Sequence, residues 1–384
     1  MPTVRVRLPA KSRTYDIRIA AGLLDGLGPA VREGPGQTAR TVAVISNKTV
    51  FDLYGKEAAD SLRAAGFTVK HFLLGDGERQ KSFRSLERII AFFAENELQR
   101  NDVVVALGGG VVGDLTGFAA AVYLRGVPLV QVPTTLLAQI DSSVGGKTGI
   151  NLASGKNLVG AFHQPAMVLI DTETLRTLPR RELTSGFCEM VKQGAVGSRK
   201  LFDQTMRLLR RSGTDFSLCL GRHESQTEVC ATIAGHCRFK ASIVTRDERE
   251  DVSRTDRRSR RILNFGHTTA HAIEKVTNYR RFRHGEAVGY GILVAGELSK
   301  SLGMLPSREL ELLREAVALC GALPRADDLG LTQIIDAMTA DKKVVKGKLK
   351  WVLLERIGKP RIVDSAEIKG KVLRAALAAG LRSK

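Results

Sequence analysis

The stretch from Asn101 to Asn157 limits the possible folds more than any other part of the chain. Its apolar, β-branched run from Val103 to Leu107 predicts a strand that is buried in a parallel sheet. Glycines 108 to 110 and a helix of small residues follow, and this order places backbone N–H groups at a helix N-terminus, where a pyrophosphate can bind. The spacing is not that of the G-x-G-x-x-G dinucleotide motif, so a plain turn between strand and helix remains an alternative.

A second buried-strand pattern, Val127 to Val132, precedes the hydroxyl groups of Thr134 and Thr135. Ligands of open α/β sheets bind at the carboxyl ends of the strands, which is where these two threonines are expected. The residues that follow combine glycine turns, two lysines and a carboxylate, namely Asp141, Gly145, Gly146, Lys147, Gly155 and Lys156. Folding does not require such a grouping, but an anionic ligand does.

The hydrophobic pattern changes near Pro179. Strand and helix patterns alternate before this residue, whereas the pattern after it is mostly helical, with few β-branched runs. The sequence therefore predicts an α/β N-terminal nucleotide-binding domain, residues 1–178, and an all-α C-terminal domain, residues 179–384, with a site in the cleft between them. Two alternating segments near the start, residues 4–8 and Tyr15 to Ile19, predict a hairpin at the domain edge.

A candidate metal site lies in the helical half. His267 and His271 are four residues apart, so both lie on one face of a helix, and Glu189 and His284 occur in neighbouring motifs. Imidazole and carboxylate groups suit a borderline cation such as Zn²⁺, and a site with three protein ligands keeps a position open for catalysis. Hydrogen-bonded or solvated histidines are the alternative interpretation, and spacing alone does not decide which of the two helical histidines binds.

The net charge of +19 over 384 residues raises the question of nucleic-acid binding. The basic residues are spread along the chain, aromatic residues make up only 5%, and no nucleic-acid motif is present, which favours a generally basic surface that attracts anionic substrates. No apolar run is long enough to predict a membrane span, and the first residues do not follow the order of a signal peptide. The five cysteines form no C-x-x-C pair, which fits a reducing cytoplasm.

Several long motifs resemble one family when they are taken in order. GGGVVGD, YLRG, VPTTLLAQIDSSVGGKTGIN and GKNLVGAFHQP are similar to the core of the 3-dehydroquinate synthases, which are sugar phosphate cyclases. The resemblance extends from about Asp76 to Gly291. It implies a dehydroquinate synthase-like fold, NAD as cofactor, and a catalytic Zn²⁺ or Co²⁺.

The resemblance assigns roles to residues in the helical half and in the central stretch. The implied metal ligands are Glu189, His267 and His284, so that His271 faces the substrate or supports a ligand. The implied substrate and catalytic residues are Lys147, Lys156, Asn157, Lys192, Lys240, Arg260, Asn264 and His271. The pair Lys342 and Lys343 matches a further substrate-binding position of the family, and the resemblance does not distinguish which of the two lysines contacts the substrate.

The resemblance also implies an NAD site along the carboxyl ends of the strands. The implied residues are Asn47, Asp76, Gly77, Glu78, Lys81, Gly110, Val111, Val112, Gly113, Asp114, Thr134, Thr135, Asp141, Lys147, Lys156, Thr174, Leu175, Arg176 and Thr177. For Asn47, helix capping remains an alternative role.

The implied reaction converts 3-deoxy-D-arabino-heptulosonate 7-phosphate to 3-dehydroquinate and phosphate, in the shikimate pathway of aromatic amino acid biosynthesis. It proceeds by transient oxidation by NAD, elimination of phosphate, re-reduction and intramolecular aldol closure. The implied partner is thus a phosphorylated sugar acid, and the family expectation is a cytoplasmic homodimer with no nucleic-acid or membrane partner.

Three alternative functions remain possible from the sequence. Another sugar phosphate cyclase, of the 2-epi-5-epi-valiolone or 2-deoxy-scyllo-inosose synthase type, acts on a substrate without a carboxylate and does not need the basic set of Lys240, Arg260, Asn264 and His271. A polyol dehydrogenase would release NADH in stoichiometric amounts. A nucleic-acid binder would show an affinity that depends steeply on salt.

The chain departs from the family pattern at Asp251 to Ser259. This connection is longer than usual and strongly basic, and we expect it to form a mobile loop. Counting back from Asn264 assigns the family arginine to Arg260, although Arg258 and Arg261 are close by.

Overall fold

The computed structural model describes residues 14–212, 223–251, 253–254, 256–257, 259–345 and 350–382. Strands and helices alternate up to residue 178, and a long helix begins at Arg180, directly after Pro179. The change in secondary structure therefore falls where the hydrophobic pattern changes.

Among the described residues, the centre of the first part is a parallel sheet of six strands in the order β1-β8-β5-β4-β2-β3. Its strands are β1 (Asp16–Ala20), β2 (Thr41–Asn47), β3 (Thr68–Leu74), β4 (Val103–Gly108), β5 (Leu129–Pro133) and β8 (Met167–Asp171). Strand order reverses between β2 and β4, because β3 lies on one side of β2 and β4 with its successors lies on the other. A crevice at the carboxyl ends of the strands is expected at such a switch point.

Helices cover both faces of this sheet. They are α1 (Leu27–Glu33), α2 (Lys48–Val50), α3 (Lys56–Ala64), α4 (Phe83–Glu95) and α5 (Gly110–Val122). Strand β4 is buried throughout, and its alternate side chains enter two different cores: Val103, Val105 and Leu107 pack with α1 and α3, and Val104 and Ala106 with α4 and α5. Burial on both faces explains why the strand is apolar along its whole length.

Two short antiparallel hairpins accompany the sheet and the helices. The first is formed by β6 (Lys147–Leu152) and β7 (Gly155–Phe162), and it packs against α5. The second is formed by β9 (Lys350–Arg356) and β10 (Lys359–Asp364) and lies within the helical part, where the sequence pattern did not predict strands.

The helical part contains α6 (Arg180–Gly197), α7 (Arg199–Ser212), α8 (His223–Arg246), α9 (His267–Val276), α10 (His284–Ser301), α11 (Ser307–Leu319), α12 (Leu331–Val345) and α13 (Gly370–Gly380). Its core is continuous with one side of the sheet, since Val168 and Ile170 of β8 belong to the same buried cluster as Val191, Ile273 and Val288 of the helices. This shared core packs the helices against β8 of the sheet.

The described residues contain only one of the two segments of the predicted edge hairpin. Residues 16–19 do belong to β1, and this strand pairs in parallel with β8, with Asp16 opposite Met167. Residues 4–8, the other predicted strand of the hairpin, lie outside the described residues. Within the described ranges, no helix combines the length and the apolar character needed to cross a membrane, and Cys188, Cys230, Cys237 and Cys320 are free thiols.

Candidate active site

Three helices bring Glu189, His267 and His284 together. Glu189 lies on α6, His267 begins α9 and His284 begins α10, and their ligand atoms all lie within 4.8 Å of one another. Glu189 Oε1 is 3.8 Å from His267 Nε2 and 3.5 Å from His284 Nε2. The trio implied by the family resemblance is thus a spatial cluster.

Glu189 is the most buried member of this cluster. Its side chain is 1% exposed, and neither carboxylate oxygen has a hydrogen-bond partner in the part of the chain that the structure describes. Lys192 Nζ lies 2.5 Å from Oε2, but this ion pair does not have hydrogen-bond geometry. A buried carboxylate in this state is costly unless something else compensates it. Together with two imidazoles, it is a fitting donor set for Zn²⁺ or Co²⁺.

Glycines set the spacing of these three helices. A Cβ atom on Gly285, next to His284, would lie 1.9 Å from the backbone oxygen of Ser185 on α6. A Cβ atom on Gly291 of α10 would lie 2.0 Å from the backbone oxygen of Gly266, the residue before His267. Backbones therefore touch directly at both contacts, which brings the three ligand-bearing segments close together.

His284 presents its two ring nitrogens to two different carboxylates. Nε2 faces Glu189, and Nδ1 lies 3.5 Å from Oε2 of Glu274 on α9. His271 and Glu274 form a second potential metal cluster with His284. Burial would raise the pKa of Glu274, but the hydrogen bond and charge of His284, with the charges of Lys156 and His271, lower it to about 2. Burial likewise opposes the charged form of His284, yet Glu274 and Glu189 raise its pKa.

His267 differs from His284 in its electrostatic environment. Burial and the charges of Lys192, His284 and His271 hold the pKa of His267 well below its usual value. The imidazole is therefore neutral, which is the form that binds a metal.

Asp141 connects the cluster to the sheet. Its Oδ2 lies 3.4 Å from Lys192 Nζ, and its other carboxylate oxygen accepts a hydrogen bond from Lys240 Nζ. Lys240 also donates to the backbone oxygen of Asp141 at 2.7 Å. Both lysines are buried, and burial and the charge of Arg260, opposed by Asp114, hold the pKa of Lys240 well below its usual value.

Arg260 and Asn264 lie on a short 3₁₀ segment that leads into α9. The Arg260 guanidinium is buried and donates to the backbone oxygens of Glu248, at 2.7 Å, and Gly145, at 3.2 Å. Gly145 has a φ of +100°, and a Cβ atom there would lie 2.7 Å from the guanidinium. Only glycine therefore permits this approach.

The residues of the predicted NAD site line up along the carboxyl ends of the strands. Asn47, at the end of β2, donates to Asp76 beyond β3, and Thr49 donates to the same carboxylate at 3.0 Å. Asn47 Oδ1 also accepts from the backbone N–H of Val50, so the capping alternative is correct, and the cofactor role of Asn47 stays a prediction. The hydroxyl of Thr134, past β5, is buried and lacks a hydrogen-bond partner among the described residues.

A buried lysine stands at the switch point. Lys81 is 4% exposed, and its Nζ lies 2.6 Å from Asp114 Oδ2 near the start of α5 and also donates to Asn157 Oδ1 on β7. Glu78 accepts a hydrogen bond from Asn151 Nδ2 at 2.8 Å. The loop after β3, the glycine turn after β4 and the hairpin are thereby joined around one cation.

The structure brings most, though not all, of the expected side chains toward one site. Val112 and Leu175 are packed in the hydrophobic cores, so only their backbones could contact a cofactor. Gly110, Val111 and Gly113 belong to the first turn of α5, and Gly77 lies in the loop after β3.

The 3₁₀ segment after β8 carries Thr174, Arg176 and Thr177. Arg176 pairs with Glu173, and Thr177 contacts Tyr54. Lys342 and Lys343 lie on α12, but their side chains are outside the described residues.

Sequence reasoning missed Glu274 and Glu250. Glu274 is three residues after His271 and seven after His267, a spacing that places all three on one helix face and could have revealed it. Glu250 forms an ion pair with Lys147 and accepts from Asn264 Nδ2 at 3.4 Å. No local sequence pattern predicts the contact between Glu250 and Lys147, because the two residues are about 100 positions apart in the sequence.

Comparison with known proteins places this site in a family context. Two family models match consecutive parts of the chain: 3-dehydroquinate synthase N-terminal at residues 71–185, and 3-dehydroquinate synthase C-terminal at residues 186–344. A relative from Nostoc sp. that is described as a 3-dehydroquinate synthase is 42% identical over 363 residues, which cover 94% of this chain and 95% of the relative.

Solved structures with a similar fold include those of two sugar phosphate cyclases. The 2-epi-5-epi-valiolone synthase from Streptomyces hygroscopicus, with NAD⁺ and Zn²⁺ bound, has a TM-score of 0.84 and 25% identity, covering 98% of this chain and 99% of that chain. A 2-deoxy-scyllo-inosose synthase, complexed with carbaglucose-6-phosphate, NAD⁺ and Co²⁺, has a TM-score of 0.78 and 22% identity, covering 96% and 98% of the two chains. Because its identity is only 22%, the 2-deoxy-scyllo-inosose synthase shows that the fold is shared and nothing more.

Proposed function

Because the chain belongs to the 3-dehydroquinate synthase family, we propose that it converts 3-deoxy-D-arabino-heptulosonate 7-phosphate to 3-dehydroquinate and phosphate. The observation that carries the proposal is the cluster of Glu189, His267 and His284, which two buried lysines and Asp141 link to the carboxyl end of the sheet. The enzyme is thus a carbon–oxygen lyase that eliminates phosphate and closes a ring.

Two groups are expected in the site, NAD and a divalent cation, Zn²⁺ or Co²⁺. Glu189, His267 and His284 would hold the cation, and the Glu189 oxygens, which accept no hydrogen bond among the described residues, fit it. The crevice between the ends of β2 and β4 would hold NAD, with Asp76 and Lys81 among its lining residues. When bound, the cation supplies Lewis-acid polarisation of substrate hydroxyls, and NAD takes up and returns a hydride.

The chain's own side chains then bind and orient the substrate. Arg260 offers a planar guanidinium for a two-point contact with the substrate carboxylate, and Lys240 lies on the same side of the site. Lys147 and His271 would contact the phosphate. The family resemblance groups Asn264 with the carboxylate-binding residues, but Asn264 shares the Glu250 carboxylate with Lys147, so we propose that it contacts the phosphate as well. Lys192, 1% exposed and next to both Glu189 and Asp141, can donate a hydrogen bond to a reacting hydroxyl.

The test is phosphate release from 3-deoxy-D-arabino-heptulosonate 7-phosphate with NAD⁺ at a concentration below that of the substrate. Sustained release that EDTA abolishes and Zn²⁺ restores is the expected result. Release from sedoheptulose 7-phosphate or glucose 6-phosphate alone would move the protein to a sister cyclase and remove the carboxylate role of Arg260. Net accumulation of NADH on a polyol would contradict a cyclase of any type.

We also propose that the chain consists of two domains, residues 1–178 and 179–384, and that it acts in the cytoplasm.

We further propose that the chain forms a homodimer. Exposed apolar side chains at the end of α5 and on β7 offer a surface that a second copy would cover, namely Val122, Leu124, Leu158 and Phe162. Sedimentation analysis at micromolar concentration tests the dimer, and a monomer there would contradict it.

A further inference from the structure

Glu250 carries a carboxylate into the part of the site that we expect to bind the phosphate group of the substrate. One of its oxygens, Oε2, forms an ion pair with Lys147, and Oε1 accepts a hydrogen bond of 3.4 Å from Asn264 Nδ2. Lys147 and Asn264 are two of the groups proposed above to contact the phosphate. In this state an internal anion therefore occupies donors that the ligand needs.

The backbone of Glu250 is held in place on both sides. Its φ is +55°, in the left-handed region that side-chain-bearing residues rarely adopt. The buried Asp247 carboxylate, one turn earlier, accepts hydrogen bonds from the N–H groups of Asp251, at 2.8 Å, and Arg260, at 2.7 Å. A strained backbone conformation persists only where the surrounding contacts hold it in place. Here those contacts orient the Glu250 carboxylate toward Lys147.

The contact also joins the two parts of the chain. Lys147 lies at the start of β6, beside the sheet, whereas Glu250 follows α8 in the helical part. The Lys147 side chain is 50% exposed and that of Glu250 is 26% exposed, so water screens the pair only in part. Such a pair can form and break without a large change in free energy.

We propose that Glu250 is a specificity-determining residue, whose carboxylate competes with phosphate for Lys147 and Asn264. The inference rests on the proposed function and extends it to product release. A phosphorylated substrate has further contacts, through its hydroxyls and carboxylate, that compensate for displacing Glu250. Free inorganic phosphate has only the phosphate contacts, so Glu250 weakens its binding and favours its departure after elimination.

The experiment measures phosphate binding without turnover. Inorganic phosphate is titrated by calorimetry into the wild-type protein and into the Glu250→Gln and Glu250→Ala variants, after thermal unfolding has shown that each is folded. We expect both variants to bind phosphate roughly two- to fivefold more tightly, as removal of one partly exposed competing charge predicts. Glu248→Gln is the matched control, since Glu248 lies two residues away and its side chain accepts from Gln164 instead, at 2.9 Å.

Three results would overturn the inference. The first is equal or weaker phosphate binding by the Glu250 variants, and the second is no measurable binding by any of the proteins. The third is a gain of the same size in Glu248→Gln, because the effect would then be one of net charge. If Lys147 mediates the competition, adding Lys147→Met to Glu250→Gln removes the gain. The turnover assay on the wild-type protein is independent of these titrations, so failure of the cyclase proposal and failure of this one are distinguishable.

Discussion

Lys156 Nζ lies 3.0 Å from Glu274 Oε1, so a lysine of the β6–β7 hairpin contacts the helix that carries His267 and His271. The same ammonium group stands 4.3 Å from the ring centre of Tyr279. Since the other oxygen of Glu274 faces His284, one buried carboxylate connects a residue expected at the cofactor to a residue expected at the metal.

We expect Glu274→Gln to weaken metal binding by about 10- to 100-fold, the usual cost of removing the carboxylate that orients a metal-binding histidine. The amide can still contact His284 but no longer favours the Nδ1–H tautomer that leaves Nε2 for the metal. Competition with a chromophoric zinc chelator measures this affinity directly, without turnover. Glu297→Gln, on the same helix as His284 but paired with Arg314, is the control and should bind metal like the wild type. An unchanged affinity in Glu274→Gln would show that Glu274 does not orient His284.

Gly285→Ala should separate α10 from α6, because the added methyl group would lie 1.9 Å from the Ser185 oxygen. We expect a loss of about 1–3 kcal/mol in the free energy of unfolding, typical of overpacking, and a metal affinity reduced at least tenfold. Denaturant unfolding and chelator competition measure the two effects. Gly370→Ala is the control, since nothing lies within 4 Å of the position of its Cβ. Wild-type metal affinity in Gly285→Ala would mean that helix spacing does not set the ligand geometry.

Asp114→Asn should destabilise the protein by about 2 kcal/mol, because it removes the nearest carboxylate from the buried Lys81 cation. Burial would lower the pKa of Lys81, and the charges of Asp114 and Glu78 raise it instead, so the lysine is charged in the folded state. Thermal unfolding tests the loss, and a fluorescence titration with NADH tests whether the switch point still binds the cofactor. Asp60→Asn disrupts an exposed pair with Arg63 and should change stability by less than about 0.5 kcal/mol. Equal effects of the two substitutions would contradict the role given to Lys81.

His236 should make the protein sensitive to acid. It is fully buried between Gln193 and Thr205, and burial, with the charge of Lys192, lowers its pKa from 6.5 to about 3. The unfolded chain therefore binds a proton that the folded chain does not, and stability decreases as pH falls from 6.5 toward 3. Between pH 7.5 and pH 5 the loss from this one group is about 2 kcal/mol.

Denaturant unfolding of the wild type and of His236→Gln at pH 7.5, 6 and 5 checks this prediction. The variant loses some stability at every pH because its packing differs, but its loss between pH 7.5 and pH 5 should be smaller than that of the wild type by about 2 kcal/mol. Parallel pH profiles of the two proteins would show that His236 is not the group responsible.

The sequence predicts the local elements of the site better than the contacts between distant ones. The β4–glycine–α5 unit and the threonines after β5 follow from short-range pattern, and the motifs of the family carry the metal trio. The parallel pairing of β1 with β8 was not predictable, because an alternating segment says which face is buried but not which strand lies beside it. The hairpin of β9 and β10 was missed because its short apolar run, Trp351 to Leu354, resembles a buried helix turn as much as a strand.

The roles of Glu250 and Glu274 show the same limit at the level of side chains. Both are ordinary acidic residues in sequence, and only folding decides that one meets Lys147 and the other meets Lys156 and His284. Charge pattern could not separate them from the solvated acidic residues of the surface, whereas helical spacing offered a signal for Glu274 alone.

The pairing of β1 with β8 has a consequence for how the protein is made. The first strand of the described chain takes its place beside a strand that is synthesised about 150 residues later. During translation β1 stays unpaired until β8 has left the ribosome. The backbone N–H groups of Gly22 and Leu24 likewise have no Asp171 carboxylate to donate to before that point. Closing so long a stretch of chain is slow, so completion of this sheet edge should come late in folding.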